Sequence, residues 1–143
     1  MAEIFYSCSF SGKVDYATGL VDPEFRKVIE DDLCVLRELG HRVFCAVEAE
    51  QWKIGNVPPG EAVTWDVDEI DKADVLVARL ETSVSAGVQW EIGYAHGKGK
   101  PVYVFAGEGQ DLAYWNQGLV ESSRIHLIGA LRDISIESDI TKK

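Results

Sequence analysis

The sequence predicts an α/β domain built on a doubly wound, mainly parallel sheet, and two observations carry that expectation. Short apolar runs alternate with stretches of helical periodicity from one end of the chain to the other. One of those runs, Asp74 to Leu80 (DVLVARL), is apolar almost throughout, the pattern of a strand buried on both faces of a parallel sheet. The chain has 143 residues, 46% of them hydrophobic, which suits one domain (1–143) with a real core and argues against disorder.

Taken in order, Glu3 to Cys8 reads as a first strand, followed by a Ser/Gly-rich loop from Ser9 to Gly19. Pro23 to Leu39 reads as a helix, because Phe25, Val28, Ile29, Leu33, Leu36 and Leu39 recur at helical spacing. Asp22 is placed to cap it, Pro23 occupies its first position and Gly40 follows its end. Arg42 to Val47 is a second strand. Glu48 to Val63 reads as irregular, since Pro58, Pro59 and Gly60 break regular structure. A short helix over Thr64 to Lys72 leads into the third strand, Asp74 to Leu80. Ser85 to Lys98 is a helix stopped by Gly99 and Pro101, then come a strand at Pro101 to Ala106, a helix at Asp111 to Val120 and a last strand at Arg124 to Gly129. A flavodoxin-like strand order, 2-1-3-4-5, is the expected arrangement. Its ligands bind beyond the carboxyl ends of the strands, where strands 1 and 3 diverge.

Charge and composition exclude several functions. The net charge of −10 would repel a nucleic-acid polymer, which needs a basic patch. No stretch reaches the ~20 apolar residues of a membrane span, and the start MAEIFYSC has no secretory pattern, so a cytoplasmic protein is expected. Cys8, Cys34 and Cys45 fit no zinc or redox spacing and read as reduced core thiols. His41, His96 and His126 lack metal-ligand spacing, so no metal is expected. There is neither a GxGxxG nor a P-loop, which argues against dinucleotide binding and NTPase chemistry.

Two segments should meet at the crevice. After the first strand come Ser7, Cys8, Ser9, Phe10, Ser11 and Gly12. After the third come Glu81 to Gly87, where Ser85 is placed to cap the next helix and its free N–H groups suit a phosphate or a sugar. The same residues also make ordinary turns and caps. Glu91 sits two turns into that helix, on the face of Gly87, Val88 and Ala95; most lone helical carboxylates are solvated. Asp66 precedes it among Asp68, Glu69, Asp71 and Asp74, and the pattern does not single it out. Trp65, Trp90, Tyr114 and Trp115 could stack on a base or simply pack.

ADVLVARL followed by SAGVQWEIGYAHGKGKPVYVF resembles the nucleoside 2-deoxyribosyltransferase family, and especially its branch of 2-deoxynucleoside 5′-monophosphate N-hydrolases. The likeness runs from the first strand to about Gly129, and its most specific part is Glu91-Ile92-Gly93-Tyr94-Ala95. It implies a homodimeric unit or higher oligomer, no metal and no organic cofactor, a small nucleoside or nucleotide substrate, and a retaining mechanism. Glu91 falls on the nucleophile and Asp66 on the residue that holds the sugar or base and handles the proton. Ser85 and Ser9 fall on phosphate-contacting serines of the hydrolases; transferases carry Asp where Ser85 stands. Ser11, Gly12 and Gly87 complete the expected substrate contacts, with Phe5 at the position of the family's first-strand Tyr and Tyr6 beside it. The hydrolase Arg falls on Ser11. The residue that reaches across from the partner subunit falls near Ala113, with Asn116 close by. The resemblance thus implies hydrolysis of the N-glycosidic bond of (deoxy)nucleoside 5′-monophosphates, with base exchange between nucleosides and non-catalytic nucleotide binding as alternatives.

Overall fold

The fold is that of a computed structural model, which describes residues 1–10 and 12–134. Five strands form one sheet in the order β2-β1-β3-β4-β5, and every pairing is parallel. They are β1 (Glu3–Cys8), β2 (Arg42–Cys45), β3 (Val75–Leu80), β4 (Val102–Ala106) and β5 (His126–Leu127). The expected doubly wound fold and strand order are therefore what the chain adopts. Helices cover both faces: α1 (Pro23–Glu38), the short α2 (Ala46–Ala49), α3 (Pro59–Lys72), α4 (Ala86–Gly97) and α5 (Tyr114–Glu121).

Alternation along β1 divides the core in two. Ile4 and Tyr6 point to one face, where Ile29, Leu33 and Leu36 of α1 close over Val75, Val77 and Phe105. Phe5 points to the other, where Ile70 of α3 and Val88, Ile92 and Ala95 of α4 close over Leu76, Ala78 and Val104. Each of the fully buried aliphatic side chains contributes about 1.5–3 kcal/mol through removal from water. β3 is buried on both faces from Val75 to Ala78, as its apolar run predicts.

Several boundaries differ from expectation. Pro58–Gly60 do not break structure; they begin it. Pro59 occupies the first turn of α3, where its missing N–H is unneeded, and the Pro58 carbonyl accepts from Ala62 N–H at 2.9 Å. Asp66 therefore lies in the middle of a long helix rather than at the start of a short one. β2 ends at Cys45 because Ala46 already turns into α2. α5 starts at Tyr114, since the Asp111 N–H is spent on Thr82 Oγ1 at 3.0 Å, and β5 keeps only two residues. At α1 the Asp22 side chain accepts from Phe25 N–H at 3.0 Å, and Gly40 takes the left-handed φ of +92° that a side chain would resist. Cys34 is exposed, not a core thiol: it sits off the stripe formed by Ile29, Leu33 and Leu36.

Candidate active site

At the carboxyl end of the sheet, between α3 and α4, lies a cavity of about 490 Å³, within the ~300–1,000 Å³ range of small-molecule sites. β1 and its loop supply Tyr6, Ser7, Cys8, Ser9 and Phe10. Asp66 and Val63 come from α3, and Ser85, Gly87, Trp90 and Glu91 from the start of α4. The α/β topology puts these together because β1 and β3 are neighbours and their following segments diverge to opposite faces.

Glu91 is the central group. Its Oε1 accepts from Ser7 Oγ at 3.0 Å, and Ser7 is itself fully buried. Burial pushes the Glu91 carboxyl up to about 8; the charge of Asp66 adds to this, and the Ser7 hydroxyl opposes it. Asp66 is raised to about 6, first by burial and then by the charge of Glu50, whose own carboxyl burial also raises. Two acids that each resist ionisation and repel one another titrate as a unit, so near neutral pH they share about one proton. Among the described residues no Lys or Arg lines the cavity. The carboxylates are left without a cationic partner.

Another part of the cavity lining suits an anion. Ser85 caps α4, its Oγ accepting from Val88 N–H at 3.4 Å, and Gly87 exposes backbone in the first turn. Ser9, in the β1 loop, lines the same cavity. Free N–H groups and the positive end of a helix dipole can hold a phosphate without formal charge.

Not every expected residue reaches the cavity. Phe5 points into the core of the α4 face, its ring 5.6 Å from that of Phe44, and does not line the cavity; Tyr6 beside it does. Gly12 is exposed outside the cavity, at a φ of +77° that lets the loop turn. Ser11 lies outside the described residues. Asn116 is buried in its own chain, accepting from Gln89 Nε2 at 3.0 Å, and Ala113 is the residue before α5. Of the four aromatic candidates only Trp90 lines the cavity; Trp65 packs on Phe44 at 5.6 Å, and Tyr114 and Trp115 lie on α5. Sequence reasoning passed over Ser7 as the partner of Glu91. The signal was the period-two alternation of β1, which sets Ser7 on the α4 face.

Beneath the cavity, on the α1 side, a second polar cluster is closed. Tyr6 OH donates to Asp32 Oδ2 at 2.5 Å, and Arg79 donates to both Asp32 oxygens at 2.7 and 3.0 Å. The guanidinium also lies 4.9 Å from the centre of the Phe105 ring. Burial works against the Arg79 charge, but the bonds to Asp32 outweigh it and its pKa is raised.

No group of three or more His, Cys, Asp or Glu side chains among the described residues could hold a metal ion. No helix among them is long and apolar enough to cross a membrane.

Comparisons with known proteins agree with this architecture. A solved structure of the Clostridium botulinum CMP N-glycosidase BcmB is 24% identical, covers 97% of this chain and 96% of its own, and superposes with a TM-score of 0.59. The 2-deoxyribosyltransferase of Bacillus psychrosaccharolyticus is 20% identical over 94% of this chain and 93% of its own, with a TM-score of 0.67. The solution structure of BlsM is 24% identical, with 97% and 85% covered and a TM-score of 0.70. At these identities the likeness is one of fold. No curated protein matches the chain in sequence. Residues 31–137, three quarters of the chain and including Asp66, Ser85 and Glu91, match the family described as Nucleoside 2-deoxyribosyltransferase. The chain belongs to that family and is an enzyme of the glycosyl-transferring kind.

Proposed function

We propose that the enzyme hydrolyses the N-glycosidic bond of (deoxy)nucleoside 5′-monophosphates, with Glu91 as nucleophile. The observation that carries this reading is the Glu91 carboxyl group: desolvated, with no Lys or Arg among the described residues that line its cavity, held by the Ser7 hydroxyl, and sharing that cavity with the N-terminus of α4. A carboxylate so placed attacks the anomeric carbon. The bond from that carbon to the base nitrogen breaks, its electron pair leaves with the base, and Asp66 supplies the proton; the reactive form is the one in which the pair's single proton has passed from the more basic Glu91 to Asp66. Water then attacks the glycosyl ester, Asp66 takes back a proton, and sugar phosphate leaves with Glu91 restored.

Two features support a phosphorylated substrate: Ser85 in place of the transferase Asp, and Ser9 lining the same cavity as the exposed first turn of α4. Purified enzyme given a panel of ribo- and deoxynucleoside 5′-monophosphates is expected to release free base and sugar phosphate. Base release only when a second base is supplied, with unphosphorylated nucleosides as substrates, would instead identify a transferase. Nucleotide binding without turnover would sink both readings.

A further inference from the structure

The cavity that holds Glu91 is also lined by two apolar side chains that the described residues leave more than half exposed: Val63 of α3, 58% exposed, and Trp90 of α4, 52% exposed. Trp90 is braced on one face. Its ring stacks on Tyr94 one helical turn on, at 5.1 Å with an interplanar angle of 9°. Tyr94 is in turn pinned: its OH donates to Asp71 Oδ1 on α3 at 2.7 Å, and Lys98 Nζ lies 5.4 Å from its ring centre. One face of the indole is thus occupied by Tyr94, and Trp90 also borders the cavity. Val63 and Asp66 sit one turn apart on α3, so a carboxyl stands on the same helical face as the valine wall.

A nucleotide centred on Glu91 must put its phosphate and its base at different ends. With the anion at the first turn of α4, the base is left the remaining walls of the cavity, among them Val63, Asp66 and Trp90. We propose that Trp90 and Val63 form the walls of a slot for the departing nucleobase, Trp90 being its stacking platform and Asp66 lying at its edge. The inference rests on the N-glycosidase reading and deepens it, by naming the residue that recognises the base. A pre-stacked indole loses little freedom on binding, so its contribution is retained as affinity. Stacking discriminates weakly among bases because each has a π face; the slot predicts broad base tolerance, with finer choice left to groups at the base edge.

The test is calorimetry in a Glu91→Gln background, which prevents turnover, with nucleoside 5′-monophosphates and with ribose 5-phosphate, which lacks a base. Trp90→Ala is expected to weaken nucleotide binding about tenfold or more, and Trp90→Phe to restore most of it. Ribose 5-phosphate should bind the Trp90→Ala variant as it binds its parent. Unchanged nucleotide affinity in Trp90→Ala overturns the slot, as does an equal loss for ribose 5-phosphate or a parent that binds no nucleotide. Base release by the wild-type enzyme is measured in parallel. Its absence, alongside Trp90-dependent nucleotide binding, overturns the hydrolase reading while leaving the slot in place.

Discussion

Two carboxylates lie near the carboxyl end of the same sheet, on opposite faces, and the chain treats them in opposite ways. Asp32, on the α1 side, receives three hydrogen bonds, two of them from the Arg79 guanidinium. Glu91, on the α4 side, receives one from a serine and faces another carboxylate. Adjacent residues of β1 make the difference, Tyr6 pointing one way and Ser7 the other. A buried charge that only holds the fold together is compensated, because leaving it unpaired costs several kcal/mol. A buried carboxylate left uncompensated stores that cost, and chemistry that consumes the charge can use it. The contrast supports the proposal that Glu91 reacts while Asp32 holds the fold together.

The sharpest break of the contrast is Glu91→Gln. Turnover is expected to fall by about 10⁴-fold or more, since the attacking oxygen is lost. Stability should move the other way. The folded-state pKa of Glu91 is raised to about 8 from an ordinary 4.5, so the folded chain binds more protons than the unfolded one between those values. Wild-type stability therefore declines as pH rises through that window. The glutamine variant escapes this decline: it should be more stable at pH 8, by on the order of 2 kcal/mol, and indistinguishable at pH 4. Thermal melts at the two pH values check it, and an equal effect at both would mean that Glu91 is not a stored charge.

On the compensated side, Arg79→Ala should cost about 3–5 kcal/mol of folding free energy, because Asp32 keeps its burial and loses its cation. Lysine cannot reproduce the bidentate grip and should rescue only part of this. Replacing the cluster as a unit, Tyr6→Phe with Asp32→Leu and Arg79→Met, should recover most of the loss. Urea midpoints report each case; a wild-type midpoint for Arg79→Ala would show that the network contributes nothing.

Asp66 joins the contrast as the second uncompensated acid. Asp66→Asn should lower turnover by about 10²–10³-fold through loss of the proton donor. In the wild type, kcat/KM should follow a bell. Below about pH 6 both acids are protonated and Glu91 cannot attack; above about pH 8 both are ionised and the base leaves without a proton. The asparagine variant should lose one limb of that bell, and a variant that retains both limbs would remove Asp66 from the proton path.

Most of the fold was legible because it is local. Alternating runs named the strands, the stripe of Ile29, Leu33 and Leu36 named α1, and the apolar stretch of β3 gave its double burial. The motif put Glu91 on the helix after β3, and the fold brings it to the wall of the cavity there. What was not legible lies in tertiary contacts: Tyr6 meets Asp32 across 26 positions, Asp32 meets Arg79 across 47, and Ser7 meets Glu91 across 84. No periodicity announces such pairs. Pro59 misled for a different reason: a proline that breaks a helix interior is favoured in its first turn, and only the helix boundary distinguishes the two.

Ser7 offers the finest adjustment of the contrast. Its hydroxyl lowers the Glu91 pKa, and it holds one of the two carboxylate oxygens at 3.0 Å. Ser7→Ala removes a hydrogen bond to a charged group, about 1.5 kcal/mol, and should reduce kcat/KM near neutral pH about tenfold. A general loss of structure would scale the whole pH profile without moving it. Loss of a donor to the ionised carboxylate instead raises the Glu91 pKa further and carries the alkaline limb of the bell to higher pH. Threonine, which keeps the hydroxyl, should return that limb to its wild-type position. An alkaline limb that stays in place in the alanine variant would assign Ser7 to packing alone.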